Sequence, residues 1–187
     1  MKYEIEKWFE FLNWKLTEEE MKQTLSFFSN DRKYVREQFD NLSWYVSERE
    51  QMHAIDYLSS HLLPHEYIYL ILPQKLELIP YNNTSKYYSA EGGKERWENA
   101  AKTILQIGWP KADNIIVPLF IWLLDPNWPG SKQIYDFLLS LPRDILRQKM
   151  EKIIKSPEAY DEITFADLKL QISDLCADAN IDMITDS

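Results

Sequence analysis

The chain has few of the residues that staple or tightly turn a fold. Its one cysteine, Cys176, has no partner for an intramolecular disulfide, and no cationic segment followed by an apolar run opens it at Met1 to Glu6. The expected compartment is therefore the reducing cytoplasm. Four glycines in 187 residues leave few tight turns, which disfavours a fold of many short strands and favours helices. Long hydrophobic runs are missing too. The longest, Ile115 to Leu124, is interrupted by Pro118 and has about half the length needed to cross a bilayer, so no membrane span is expected. Positive charge is in deficit. With 21 Lys and Arg against 30 Asp and Glu the net charge is −9, which repels nucleic acid and anionic lipid at long range and favours basic partners.

The acidic excess is uneven. Ser156 to Ser187 carries eight acids against one lysine, whereas Lys94 to Lys155 carries ten bases against seven acids. The length fits one domain, or two small subdomains sharing a core that buries roughly 70% of the unfolded chain's surface.

Helical periodicity recurs along nearly the whole chain. An opening helix is expected from Tyr3 to Asn13, with Ile5, Trp8, Phe9 and Leu12 on one stripe. A capping box at Thr17 to Glu20 opens a second, carrying Met21, Leu25 and Phe28. Asn30 or Asp31 caps a third, with Tyr34, Val35, Phe39, Leu42 and Tyr45 or Val46 inward. Ser47 caps a fourth, with Met52, Ile55, Tyr57, Leu58 and Leu62 inward, and Pro64 ends or kinks it. Residues 68–79 read two ways: a short β-hairpin, because alternation and β-branched or aromatic content fit, or a helix end followed by an extended connection. Asn82 to Gly93 reads as a loop, dividing an N-terminal half (1–81) from a C-terminal half (94–187) within what is expected to be one unit.

In the second half, Trp97, Ala100, Ala101, Ile104, Leu105 and Ile107 form a helix face that Gly108 ends by its tolerance of positive φ. Asp113 to Leu124 has no polar face and is expected at the centre of the core, its regular part starting near Val117 because Pro118 suits only a first turn. The turn Asp125 to Gly130 follows, with Asp125 and Asn127 as candidate caps and Pro129 suited to a first helical turn. Further helices are expected at Ser131 to Leu141, from Pro142 to Ser156, and at Asp161 to Ala179, the last with Phe165, Leu168, Ile172 and Leu175 on its inner stripe.

At 100° per residue, Asp167, Asp174 and Asp178 fall within about 40° of one another, opposite that stripe. They form an acidic ridge that is either a solvated face or a docking ridge for a basic partner, and Asp182 and Asp186 either extend it or belong to a frayed tail. The tryptophans near helix ends, Trp109, Trp122 and Trp128, with Trp8, Trp14 and Trp44, read as core anchors, the alternative being an aromatic ligand platform. Trp14 is the one of these most expected at the surface.

Catalytic signals are weak. His61 and His65 have a metal-compatible spacing that Pro64 interrupts, and His53 adds no set, so neither metal nor cofactor is expected. Cys176, between apolar and acidic neighbours, reads as a core thiol. No nucleophile elbow, phosphate-cradling loop or His-Glu-x-x-His run is present, and the acids at Glu18 to Glu20 and Asp161-Glu162 suit helix starts. Arg143, Arg147, Lys149, Lys152 and Lys155 form one basic set, diluted by Asp144 and Glu151.

Ile79-Pro80, Ala101 to Gly108, and above all Pro118 to Gly130 with Ile134 to Leu138 resemble a bacterial helical family of unknown function, whose signature is Trp-Leu-x-Asp-x-Asn-Trp-Pro. The signature residues here are Trp122, Asp125, Asn127, Trp128 and Pro129. The resemblance spans roughly Leu78 to Cys176. It implies HEAT-like stacked antiparallel hairpins and a bacterial source, and carries no catalytic residue across. The 82–93 insertion departs from the family's pattern, and the first 72 residues carry none of its motifs.

The expected fold class is thus all-α. The expected function is non-catalytic protein binding, best fitted by an immunity or antitoxin-like protein that neutralises a basic toxin through Asp167, Asp174, Asp178 and Asp182. The alternatives are a helical scaffold for a housekeeping partner, homodimeric through exposed Trp and Tyr, and a HEAT-like enzyme meeting nucleic acid at Arg143 to Lys155.

Overall fold

The computed structural model describes residues 17–71, 94–160 and 162–182. The expected opening helix, the 82–93 loop, residues 72–79, Trp8, Trp14, Asp161 and Asp186 lie outside these. Among the described residues the fold is all-helical, with no strand. No described helix is long and apolar enough to cross a membrane.

Helix α1 (Glu18–Ser26) opens with the Met21 N–H donating to the Thr17 carbonyl at 2.9 Å. Met21, Leu25 and Phe28 pack half-buried on the core, but the fully buried ring is Phe27, just past the helix end, stacked 4.1 Å from Tyr69. A 3₁₀ turn, Asn30–Arg32, leads into α2 (Lys33–Asp40). Neither Asn30 nor Asp31 caps it; the turn's N-cap position is Ser29, with no side-chain cap bond. Val35, Phe39 and Leu42 are buried as their spacing predicts, while Tyr34 and Tyr45 are exposed. Tyr34 falls outside the buried stripe because it lies about 100° from Val35 around the helix.

Helix α3 (Glu48–His61) carries the expected cap as a full capping box: the Glu50 N–H donates to Ser47 Oγ, and the Ser47 N–H donates to Glu50 Oε2 at 2.9 Å. The bonds from the Ser47 hydroxyl and backbone hold the Glu50 carboxyl below its usual pKa. Such a lowered acid contributes stability above its unfolded pKa and loses it as pH falls through the folded value. Ser47→Ala is therefore expected to move the Glu50 titration, followed by NMR, back up towards an ordinary glutamate; an unmoved titration contradicts the box. Ala54 and Leu58 face the core, and Met52 is exposed because it lies about 160° from Ala54 around the helix.

Pro64–Glu66 forms a 3₁₀ turn after α3, and α4 (Ile68–Ile71) follows. This corrects the hairpin alternative: its first arm is a helical turn with Ile68, Leu70 and Ile71 buried.

Helix α5 (Lys94–Ile107) packs on α3 and α4, so the two halves meet through one core instead of facing each other across a linker. Polar links reinforce the seam. Asn99 Nδ2 donates to the Leu42 carbonyl and to Gln51 Oε1, each at 2.8 Å, and Gln106 donates to Asp56 at 2.9 Å. Gly108 ends α5 at φ 67 as expected, although Leu105 is exposed at the edge of the face.

The apolar run at 113–124 is no single helix. It splits into a 3₁₀ turn (Asp113–Ile115), α6 (Ile116–Leu119) and a second 3₁₀ turn (Phe120–Leu124). Pro118 has no N–H to donate and sits in the first turn of α6, where backbone donors have no intrahelical partner anyway. The segment is central, as expected, with Ile115, Ile116, Leu119, Phe120, Trp122 and Leu123 buried. Helices α7 (Ser131–Leu139), α8 (Arg143–Ile154) and α9 (Glu162–Ala179) surround it: α8 packs on α6, while α7 and α9 pack on Phe120–Leu124.

Candidate functional site

The turn at 122–130 is anchored in the core at its two ends, Trp122 and Gly130. Trp122 is 1% exposed; its indole N–H donates to the Ile71 carbonyl at 2.7 Å, tying the second half to α4. Trp97 lies beside it, 6.1 Å between centroids, and meets Trp128 edge-on at 4.9 Å. Trp97 and Trp122 are buried and Trp128 is half-buried against the core, so these three rings serve packing. Trp109 and Trp44 are exposed, against their reading as core anchors. The Trp44 N–H donates to the Glu95 carbonyl, which holds the backbone while the ring stays in solvent.

Asp125 and Asn127 do not cap α7. Asp125 Oδ1 instead accepts from the Asn127 N–H at 2.9 Å and from Asn127 Nδ2 at 3.0 Å, closing an Asx turn. Pro129 precedes the helix, whose N-cap is Gly130 at φ 85. The Ser131 hydroxyl donates back to the Trp122 carbonyl at 2.8 Å.

The acids of α9 are divided by the structure. Asp167 and Asp174 are exposed on its outer side. Asp178 is exposed too but accepts from the Tyr135 hydroxyl of α7 at 2.7 Å. Burial, and then that bond, push the Tyr135 hydroxyl pKa up. Asp182 does not continue the ridge. Asn180, at φ 51, ends the helix, and the Asn180 and Ile181 N–H groups turn back to the Ala177 and Cys176 carbonyls at 3.2 and 2.8 Å in a Schellman motif.

Beside those aspartates stand residues that the acid-centred reading overlooked. Ile163 and Leu170 are 76% and 60% exposed, and Ala166 and Ala177 are exposed on the same side. The signal was legible: these apolar positions fall outside the inner stripe of Leu168, Ile172 and Leu175. Phe165 is only half-buried, stacked on Tyr160 with Lys169 Nζ 5.1 Å from its centroid.

Three of the five residues of the basic set are paired with acids. Arg147 and Lys155 both pair with Glu151, at 3.0 and 3.1 Å, and bonds from Lys155 and then Arg147 hold the Glu151 carboxyl below its usual pKa. Lys149 turns to Asp113 at 2.9 Å and is mostly covered, so it is no exposed member of the set. Arg143 and Lys152 remain as separated exposed cations.

His61 stacks on Tyr57 at 4.0 Å, and His53 Nε2 lies 3.3 Å from the Tyr34 hydroxyl. Among the described residues no three His, Cys, Asp or Glu are grouped to hold a metal ion. Cys176 is buried 4.0 Å from Met150 Sδ. An open groove of about 900 Å³ between α2 and α3, lined by Tyr34, Gln38, Asn41, Ser47, Arg49 and His53 among others, was not foreseen. Its lining residues are mostly polar in type, and its serine is committed to the Glu50 capping box. No protein-family model matches the chain, and neither the curated proteins nor the solved structures hold a match to it.

Proposed function

We propose that the chain is a non-catalytic protein-binding domain whose acidic surface occupies a basic partner, in the manner of a bacterial immunity or antitoxin-like protein. One observation carries the reading: Asp167 and Asp174 stand exposed along one rigid helix, on a chain of net charge −9. Like charges fixed on one face raise the encounter rate with a basic surface and reject acidic ones. The HEAT-like hairpin order and the family resemblance belong to the same proposal, as does a cytoplasmic location.

The nucleic-acid alternative is the less favoured because Arg147, Lys149 and Lys155 share the two acids Glu151 and Asp113. Phosphate binding needs cations free to replace counterions.

Co-expression with the protein encoded by the adjacent gene tests the proposal. The expected result is that this neighbour arrests growth alone, that the chain restores growth, and that the two co-purify. A neighbour without a growth phenotype and without a complex would sink it.

A further inference from the structure

We propose that the outer face of α9 is the docking site for an amphipathic helix of the partner, seated on Ile163, Ala166, Leu170 and Ala177 and steered by Asp167 and Asp174 to present lysines or arginines along one edge. This deepens the protein-binding reading and rests on it.

The helix is apolar on two sides. Its inner side is spent on the core, where Leu168, Ile172, Leu175 and Cys176 are buried. At 100° per residue, Ile163, Ala166, Leu170 and Ala177 fall within about 60° of one another on the other side. All four are exposed. Ile163, Leu170 and Ala177 recur every seven residues, the spacing at which one helix presents a continuous seam to another. The 18 residues of α9 offer a ledge about 27 Å long, enough for several turns of a partner helix.

Charge selects the occupant. Asp174 and Asp167 lie about 20° and 40° to one side of Ile163, flanking the whole seam. An antiparallel second copy would bring two such acidic edges together, and like charges brought face to face oppose association. An anionic membrane surface is repelled for the same reason. A helix with an apolar stripe and a basic edge satisfies both rows at once.

Two synthetic amphipathic helical peptides with the same leucine stripe, one edged with lysine and one with glutamate, test this by fluorescence anisotropy against the full chain. The lysine-edged peptide is expected to bind roughly tenfold or more tightly than its counterpart, with affinity falling as salt rises. Leu170→Ser should weaken it roughly tenfold, and Asp167→Lys with Asp174→Lys should invert the preference. These positions are exposed, and an unchanged circular dichroism melt confirms that each variant is folded. Equal binding of both peptides, binding of neither, or indifference to Leu170→Ser overturns the docking proposal. So does a concentration-dependent dimer that Leu170→Ser dissolves, which assigns the face to a second copy. If the chain still rescues growth against its neighbour in any of those cases, protein binding stands and only this face is wrong; if rescue is also absent, both fall.

Discussion

Gly130→Ala is expected to cost roughly 2–5 kcal/mol of folding stability, the sum of a left-handed backbone penalty and an overpacked core. The residue sits at φ 85, and a Cβ there would lie 2.8 Å from Ala101 Cβ, 3.0 Å from Trp122 Cζ3 and 3.1 Å from the Trp97 carbonyl oxygen. Two of those neighbours are ring or backbone in a buried layer, so neither yields cheaply. The control is Gly108→Ala, at φ 67, where the nearest atom to the added Cβ is the Leu105 carbonyl oxygen at 3.5 Å, an ordinary contact. Only the backbone penalty of about 1–2 kcal/mol applies there. Urea titration checks both. The Gly130 variant should lose about two to three times as much in midpoint at an unchanged slope, and equal losses would show that the close packing of the turn on α5 is not what fixes that glycine.

The second large effect is at the Arg32–Glu66 pair. Glu66 is 0% exposed, with its carboxylate accepting from the Arg32 guanidinium, at 2.7 Å from Nε and again from Nη2, and from the Leu63 N–H at 2.8 Å. The same guanidinium reaches the His61 carbonyl at 3.0 Å, so one side chain ties the entry of α2 to the end of α3 and the turn after it. Removing one partner of a buried pair costs about 3–5 kcal/mol, because the other charge is left without compensation. The two partners are unequal: the Arg32 side chain is 22% exposed and can rehydrate, whereas that of Glu66 cannot. Arg32→Met is therefore expected to destabilise by about 3 kcal/mol and Glu66→Gln by less, with the double variant recovering part of the Arg32→Met loss. The reverse ordering would mean that the pair is not the buried tie its geometry describes.

Local signals were the legible ones. Ser47 announced its cap, Gly108 its helix end, and Val35, Phe39 and Leu42 their shared face. Features joining distant residues were not legible. Arg32 and Glu66 are 34 residues apart, the Gly130 constraint comes from Trp97 and Ala101 on an earlier helix, and Asp178 meets Tyr135 across 43 residues. Only packing brings such pairs together. The candidate face was half legible. Helical spacing at 100° per residue places Asp167 and Asp174 outward, but the charge pattern by itself says nothing of Ile163 and Leu170, which are exposed beside them. Asn180, a residue tolerant of positive φ, carried the cue that Asp182 lies beyond the helix.

The proposed binding surface is the outer face of α9, where Asp167 and Asp174 are exposed. The dissociation constant of the neighbour-encoded protein, measured by calorimetry at two salt concentrations for the wild type and for the variant carrying Asp167→Lys and Asp174→Lys, tests it most directly. The prediction is a loss of roughly tenfold or more in the variant, with weaker salt dependence; equal affinity and equal salt dependence for the two proteins would contradict it.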